Sequence, residues 1–331
     1  MLPGVDSGSW GFLMATRQCP KCGTAGEDWF CRKCSSFTRK DKPAQNADPM
    51  VGSMIDGRYR IETLLGRGGM GKVYRGVQVA TGQVVAVKVI PQEHLRDELL
   101  MRRFRREAEV VATLSHPNII RLVDFGKVPG GQPYLVMEYV EGETLAQRVF
   151  KSGPVAEGRL AAIAAQMAHG LAEAHRQGVL HRDLKPDNVL LLNAYGHTDF
   201  VKIIDFGVAK MMRSPGPTRP LTATDEIIGT AEYMAPEQAA CRRSLTGAAD
   251  VYSLGLTVWF ALAAEDPFGG VNRMESMMAR FRQSSPPLPA NRSASPAMRD
   301  LLNNLMAMEP VDRPLAEQAA LAFEALRDGA G

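Results

Sequence analysis

The chain has 331 residues, 45% hydrophobic and 23% charged, enough to bury one large core or two and something small besides. Thirty-nine Lys and Arg against 36 Asp and Glu give a formal net charge of +3, too slight to argue for a nucleic-acid partner by itself. The first fifteen residues lack a basic stretch followed by a sustained apolar run, and residue 2 and the C-terminus carry no lipidation signal. No segment approaches the roughly 20 apolar residues that cross a bilayer, so the chain is read as cytoplasmic, with no membrane contact.

Residues 1–15, rich in Gly and Ser and without periodicity, read as disordered. Four of the five cysteines then fall within sixteen residues, as Cys19-Pro20-Lys21-Cys22 and Cys31-Arg32-Lys33-Cys34. Two such turns joined by a short hairpin can converge four thiolates tetrahedrally on Zn²⁺. Disulfides are the rival reading, but a chain without an export signal sits in a reducing compartment. Residues 16–38 therefore resemble a compact zinc ribbon, too short to fold without its structural metal. Its basic residues (Arg17, Lys21, Arg32, Lys33, with Arg39 and Lys40 just after) and aromatics (Trp29, Phe30, Phe37) would suit nucleic acid. A solubilising face over a packed hairpin is the simpler account, with protein docking or regulation as the role; nucleic acid is not expected. Residues 39–55, polar and mixed, read as a flexible linker. Cys241, standing alone, reads as inert.

Two β-prone stretches, Tyr59–Leu65 and Val73–Val77, flank Gly66-Arg67-Gly68-Gly69-Met70-Gly71-Lys72-Val73. Glycines between strands let backbone N–H groups approach phosphates without Cβ clashes. A dinucleotide-binding turn would need a helix directly after the glycines, and Val73-Tyr74 is strand-like. In Val85-Ala86-Val87-Lys88-Val89 a lysine is embedded in an apolar strand and requires an acid. The next helix, roughly Glu93 to Ser115, offers Glu107 and Glu109. Glu107 lies on the stripe of Phe104, Val111 and Leu114, and Glu109 points away, so Glu107 is the expected partner of Lys88. Leu122-Val123-Asp124-Phe125-Gly126 reads as strand and turn with no metal. A further helix places Leu160, Ile163, Met167, Leu171 and Ala174 on one face and stops at Gly178.

His181-Arg182-Asp183-Leu184-Lys185-Pro186-Asp187-Asn188 and then Asp205-Phe206-Gly207 carry the chemistry. Phosphoryl transfer needs positioning and cations held against the transferring phosphate. Asp183 can orient a hydroxyl and take its proton, Lys185 can reach the γ-phosphate, and Asn188 and Asp205 offer the hard oxygens that Mg²⁺ accepts. Downstream, Leu254–Ala264 reads as a buried core helix and Arg282–Pro296 as a loop between helices.

These motifs, in this order over roughly Gly57 to Leu326, resemble the bacterial eukaryotic-like (Hanks-type) serine/threonine protein kinases. The resemblance implies an α+β bilobal fold behind the zinc ribbon: kinase domain 56–328, N-lobe 56–137, hinge 138–142 and C-lobe 143–328. It implies ATP and Mg²⁺, or Mn²⁺ in its place, as cofactors and protein Ser/Thr hydroxyls as acceptors. Nucleotide contacts would come from Leu65 to Val73, Ala86, Lys88 held by Glu107, Met137 guarding the rear pocket, Glu138 and Val140. Thr222 and Thr224 match the paired activation-segment threonines, with Arg182 and Lys210 receiving their phosphates. That mode of activation carries self-association for phosphorylation in trans. Thr230 would bridge Asp183 and Lys185, Asp250 would brace the catalytic loop, and Glu237 would pair with Arg313. A catalytically silent scaffold is the alternative; loss of Lys88, Asp183, Asn188 or Asp205 would be its usual sign, and all four are present.

Overall fold

The computed structural model describes residues 17–18, 25–26, 39–40, 48–68, 71–91, 98–128, 131–194, 196–206, 233–240, 242, 244–269, 285–292 and 294–328. The chain divides into two compact units, Met1–Ala47 and Asp48–Gly331.

In the first unit, strands β1 (Arg17–Gln18), β2 (Ala25–Gly26) and β3 (Arg39–Lys40) pair antiparallel in the order β2-β1-β3. Arg39–Lys40 were expected to open the linker; they pair with Arg17–Gln18 instead. Two-residue strands have no period to read from sequence. Cys19, Cys22, Cys31 and Cys34 lie outside the described residues, as does the disorder expected of residues 1–15.

The second unit opens with a six-stranded antiparallel sheet in the order β4-β5-β6-β7-β9-β8. Its strands are β4 (Met54–Ile55), β5 (Tyr59–Gly68), β6 (Gly71–Gln78), β7 (Val84–Val89), β8 (Leu122–Lys127) and β9 (Pro133–Glu138). Side chains alternate across a strand, and β7 shows the consequence. Val85, Val87 and Val89 join the cluster of Ile55, Tyr59, Ile61, Tyr74 and Tyr134 on the outer face. Ala86, and Lys88 with the same parity, face the other side, where helix α1 (Glu98–Ala112) packs Phe104 and Ala108 against Leu122, Leu135 and Met137. The helix was expected to reach Ser115. It stops three residues earlier, where the Thr113 hydroxyl donates to the Val110 carbonyl at 2.7 Å; the start expected for it, Glu93, lies outside the described residues.

The linker expected over 39–55 is the clearest difference. Asp48 is 7% exposed, Met50 packs on the outer cluster, and Met54–Ile55 pair with Tyr59–Arg60. The compact unit therefore begins at Asp48, eight residues before the expected start at Asp56. Met50 and Ile55 cover one face of the sheet while Met54 is 43% exposed, and two residues are too few to show a period.

Beyond the hinge come β10 (Glu143–Thr144), α2 (Leu145–Ser152), α3 (Glu157–Arg176), β11 (Val189–Ala194), β12 (His197–Ile203) and α4 (Pro236–Ala239). Helices α5 (Ala248–Ala263), α6 (Pro296–Leu305) and α7 (Ala316–Asp328) complete the lobe. Thr144 and Gln147 cap α2 reciprocally, side chain to backbone. The expected apolar face of α3 is buried at all five named positions, and the chain turns after Arg176 at Gly178, whose φ is +74°. Helix α5 is buried from Ala249 to Ala263 and is the axis of this lobe. The two-lobed fold expected from the motifs forms. No helix among the described residues is long and apolar enough to cross a membrane.

Candidate active site

The β5–β6 hairpin brings Arg67 opposite Lys72 and Gly68 opposite Gly71. Gly71 has φ +118°, and a Cβ there would lie 2.1 Å from the Val89 carbonyl oxygen, so no other residue fits. The chain therefore crosses close over the end of β7, where Lys88 sits. Leu65, at a bulge in β5, is exposed. Gly69 and Met70 lie outside the described residues. Arg67 and Lys72 reach Asp48, so their side chains are held by an acid of the protein.

Lys88 is 5% exposed, and its ammonium is 2.8 Å from the carboxylate of Asp205. Glu107, the partner expected, is half-buried and forms no ion pair with it. The helical stripe identified the face of α1 that turns inward, but not how far that face stands from β7. Asp205 has φ +62° and Arg182 also has φ +62°, left-handed backbone that non-glycine residues hold only when their surroundings fix it.

Those surroundings are identifiable. Asp250, 1% exposed on the first turn of α5, accepts the backbone N–H of His181 at 2.8 Å and of Arg182 at 2.7 Å, and also His175 Nε2 at 2.8 Å. Burial opposes its ionisation, but the bond from His175, the nearby histidines and the His181 N–H hold its carboxyl below the ordinary carboxylate range. His181 is fully buried; its Nε2 donates to the Ile204 carbonyl at 2.9 Å, so Nδ1 accepts the Asp183 N–H at 3.2 Å. Burial keeps this ring neutral by pushing its pKa down, and Phe206 stacks edge-on against it at 4.6 Å.

Asp183 is thereby pinned, and its side chain is only 5% exposed. Asn188 Nδ2 donates to the Asp183 carbonyl at 2.8 Å and approaches its Oδ2 at 3.4 Å, and Lys185 Nζ lies 3.6 Å from the same oxygen. The Asn188 carbonyl accepts the Ile204 N–H at 2.9 Å, which sets Asn188 beside the residue preceding Asp205. With its amide nitrogen committed to Asp183, Asn188 has its side-chain oxygen left for a cation. An amide oxygen and a carboxylate held on adjacent backbone suit Mg²⁺. Among the described residues, no group of three or more His, Cys, Asp or Glu forms a metal cluster, so further ligands would come from phosphate and water.

At the hinge, Met137 is buried and pairs with Ala86 across the sheet. Sequence reasoning assigned Glu138 by its backbone and missed its side chain, which accepts from the Arg121 N–H at 2.8 Å and from Lys202 at 2.7 Å. Past Val140, a Cβ on Gly142 would meet the Leu191 carbonyl oxygen at 2.6 Å, so glycine lets the hinge cross β11 closely. The second Asp-Phe-Gly is accounted for: Asp124 accepts from Tyr59 at 2.6 Å and pairs with Arg58 at 2.7 Å. Glu237 and Arg313 form a doubly hydrogen-bonded ion pair at 2.6 and 3.0 Å, both buried. Lys210, Thr222, Thr224 and Thr230 lie outside the described residues.

Residues 59–322 match the protein kinase domain family. Serine/threonine-protein kinase pkn3 of Myxococcus xanthus is 37% identical over 278 residues, covering 83% of this chain and 50% of its own. Serine/threonine-protein kinase PknA of Mycobacterium tuberculosis is 37% identical over 269 residues, 80% of this chain and 60% of its own. The chain thus spans about half the length of the curated relatives it matches. The crystal structure of the Mycobacterium tuberculosis PknI kinase domain superposes with a TM-score of 0.65 at 29% identity, over 83% of this chain and 98% of that one. That of Rad53 1–466 in complex with AMP-PNP gives 0.62 at 28%, over 78% and 62%.

Proposed function

The chain belongs to the protein kinase domain family, and from that premise we propose that it transfers the γ-phosphate of ATP to Ser and Thr hydroxyls of proteins. The observation that carries the reading is Asp183, buried and pinned between His181, Asn188 and Lys185, with Lys88 and Asp205 alongside. Asp183 accepts the proton of the attacking hydroxyl as its oxygen bonds to the γ-phosphorus and the bond to the bridging oxygen of ADP breaks. Lys185 offsets charge on the transferring group. The Glu138 and Val140 backbone takes the adenine, and the glycine-rich hairpin covers the phosphates. Asn188 and Asp205 would hold Mg²⁺ or Mn²⁺, which would supply charge neutralisation at the phosphate oxygens. Lys88 leaves Asp205 for the α- and β-phosphates, and α1 moves to give it Glu107 as partner.

Autophosphorylation in trans at Thr222 and Thr224, with Arg182 and Lys210 receiving the charge, is the proposed switch. The first unit is proposed to hold one structural Zn²⁺ through Cys19, Cys22, Cys31 and Cys34, to serve docking or regulation, and to act with the kinase domain in the cytoplasm. The decisive experiment is transfer from radiolabelled ATP to Ser/Thr and Tyr acceptors by wild type, Asp183→Asn and Lys88→Met. Both variants are expected to lose roughly 10²-fold or more in kcat/KM. Wild type that is inert on every acceptor would move the weight to the silent-scaffold reading, and Asp183→Asn turning over like wild type would remove the base. Mass spectrometry of wild type against Asp183→Asn tests the switch: phosphates away from Thr222 and Thr224 would refute it.

A further inference from the structure

The glycine-rich hairpin is tied down by a residue that precedes its sheet. The Asp48 side chain is 2% exposed and its carboxylate takes four donors. Oδ1 accepts the Met50 N–H at 3.1 Å and the Tyr74 hydroxyl at 3.0 Å; Oδ2 accepts Arg67 Nη2 at 3.2 Å and lies 2.9 Å from Lys72 Nζ. Arg67 and Lys72 are cross-strand partners, one step from the Gly68–Gly71 pair that ends the described hairpin. One buried acid thus clamps both strands at the root of the loop. Without the acid, two cations face each other on neighbouring strands and repel.

We propose that Asp48 is a positioning residue that holds the phosphate-covering hairpin in its ATP-binding geometry, so that the segment entering the second unit sets nucleotide affinity. This rests on the hairpin's reading as the cover of the ATP phosphates. Asp48 touches no substrate. It acts by drawing the Arg67 and Lys72 side chains toward itself, which leaves the loop's backbone N–H groups for phosphate.

The test uses the full chain and the isosteric Asp48→Asn, with Mg-ATP affinity measured by calorimetry and KM and kcat by phosphate transfer. Kd and KM for ATP are expected to rise about five- to tenfold with kcat near wild type at saturating ATP, and Asp48→Glu to recover part of the loss. Arg67→Met/Lys72→Met on the Asp48→Asn background should add no further rise, because the clamp is already open. Unchanged or lowered Kd, a fall confined to kcat, or additive losses would overturn the proposal. If Asp48→Asn does not fold, Arg67→Met/Lys72→Met in the wild-type chain carries the test, with the same rise in Kd expected and an unchanged Kd refuting it. Wild type that binds ATP but transfers nothing defeats the kinase reading, while the calorimetric comparison still decides this one.

Discussion

Glu107 is the residue at which family expectation and observed geometry part, and it gives a separable prediction. In the described arrangement Lys88 is neutralised by Asp205, and Glu107 has no ion pair with Lys88 to lose. Glu107→Gln should therefore leave the melting temperature within about 1 °C of wild type while kcat/KM falls roughly tenfold or more. Steady-state kinetics beside thermal denaturation read both, and a drop in stability without loss of activity would confine Glu107 to a structural role. Protonation supplies a second prediction at this scale. The pKa of His181 is lowered from 6.5 by burial, so the unfolded chain binds its proton first as pH falls. Its contribution is complete above 6.5 and is lost as pH falls from there through the folded value; His116, also lowered by burial, acts with the same sign. Asp250, lowered from 3.8, loses its contribution only at more acid pH still. Chemical denaturation between pH 8 and pH 5 should show stability declining below about 6.5. A flat profile would mean that the neutral, Nε2-donating ring described at His181 is not what the fold requires.

Between elements, the buried pair Glu237–Arg313 joins α4 to the turn before α7, and its two halves are unequal. Arg313 also donates to the carbonyls of Ala307 at 2.8 Å, Ala248 at 2.9 Å and Met308 at 3.0 Å, and lies over the Tyr252 ring at 4.8 Å. Arg313→Ala strands a buried carboxylate and three carbonyls, and should cost about 3–5 kcal/mol in denaturant unfolding. Glu237→Ala leaves a guanidinium with partners and should cost less; equal losses would show that the pair, and not the carbonyl cage, dominates. Both residues were legible in sequence because they sit in short motifs at fixed places in the chain. So was the inward face of β7, since alternation puts Lys88 on the side of Ala86. What could not be read was distance between elements. The stripe on α1 puts Glu107 on the side of Phe104 and Val111, where it is half-buried, yet the position of the whole helix decides whether it reaches Lys88. Asp48 and the Glu138 side chain were missed for a related reason: each bonds residues far along the chain, Asp48 to Tyr74 and Glu138 to Lys202, and no local pattern announces such pairs.

For the chain as a whole, the boundary between the two units is itself testable, because sequence composition and packing put it in different places. Polarity places the start of the second unit at Asp56, but packing places it at Asp48. A chain beginning at Asp48 keeps the carboxylate clamp, Met50 on the outer cluster and the β4 strand with Ile55 at 1% exposure. A chain beginning at Asp56 loses all three. Burying one Ile contributes about 1.5–3 kcal/mol, so the shorter chain should melt roughly 5–10 °C lower, whereas the longer should melt with the intact second unit. Metal removal gives the complementary arm. If the first unit holds zinc, metal analysis returns about one ion per chain, lost on replacing any of Cys19, Cys22, Cys31 and Cys34 by Ser. Chelation should then abolish the first unit's fold and leave the melting transition of the chain beginning at Asp48 unmoved. Chelation that shifts the second unit's transition in the full chain, but not in the truncated one, would instead mean that the metal-bearing segment stabilises the kinase domain through the residues leading to Asp48.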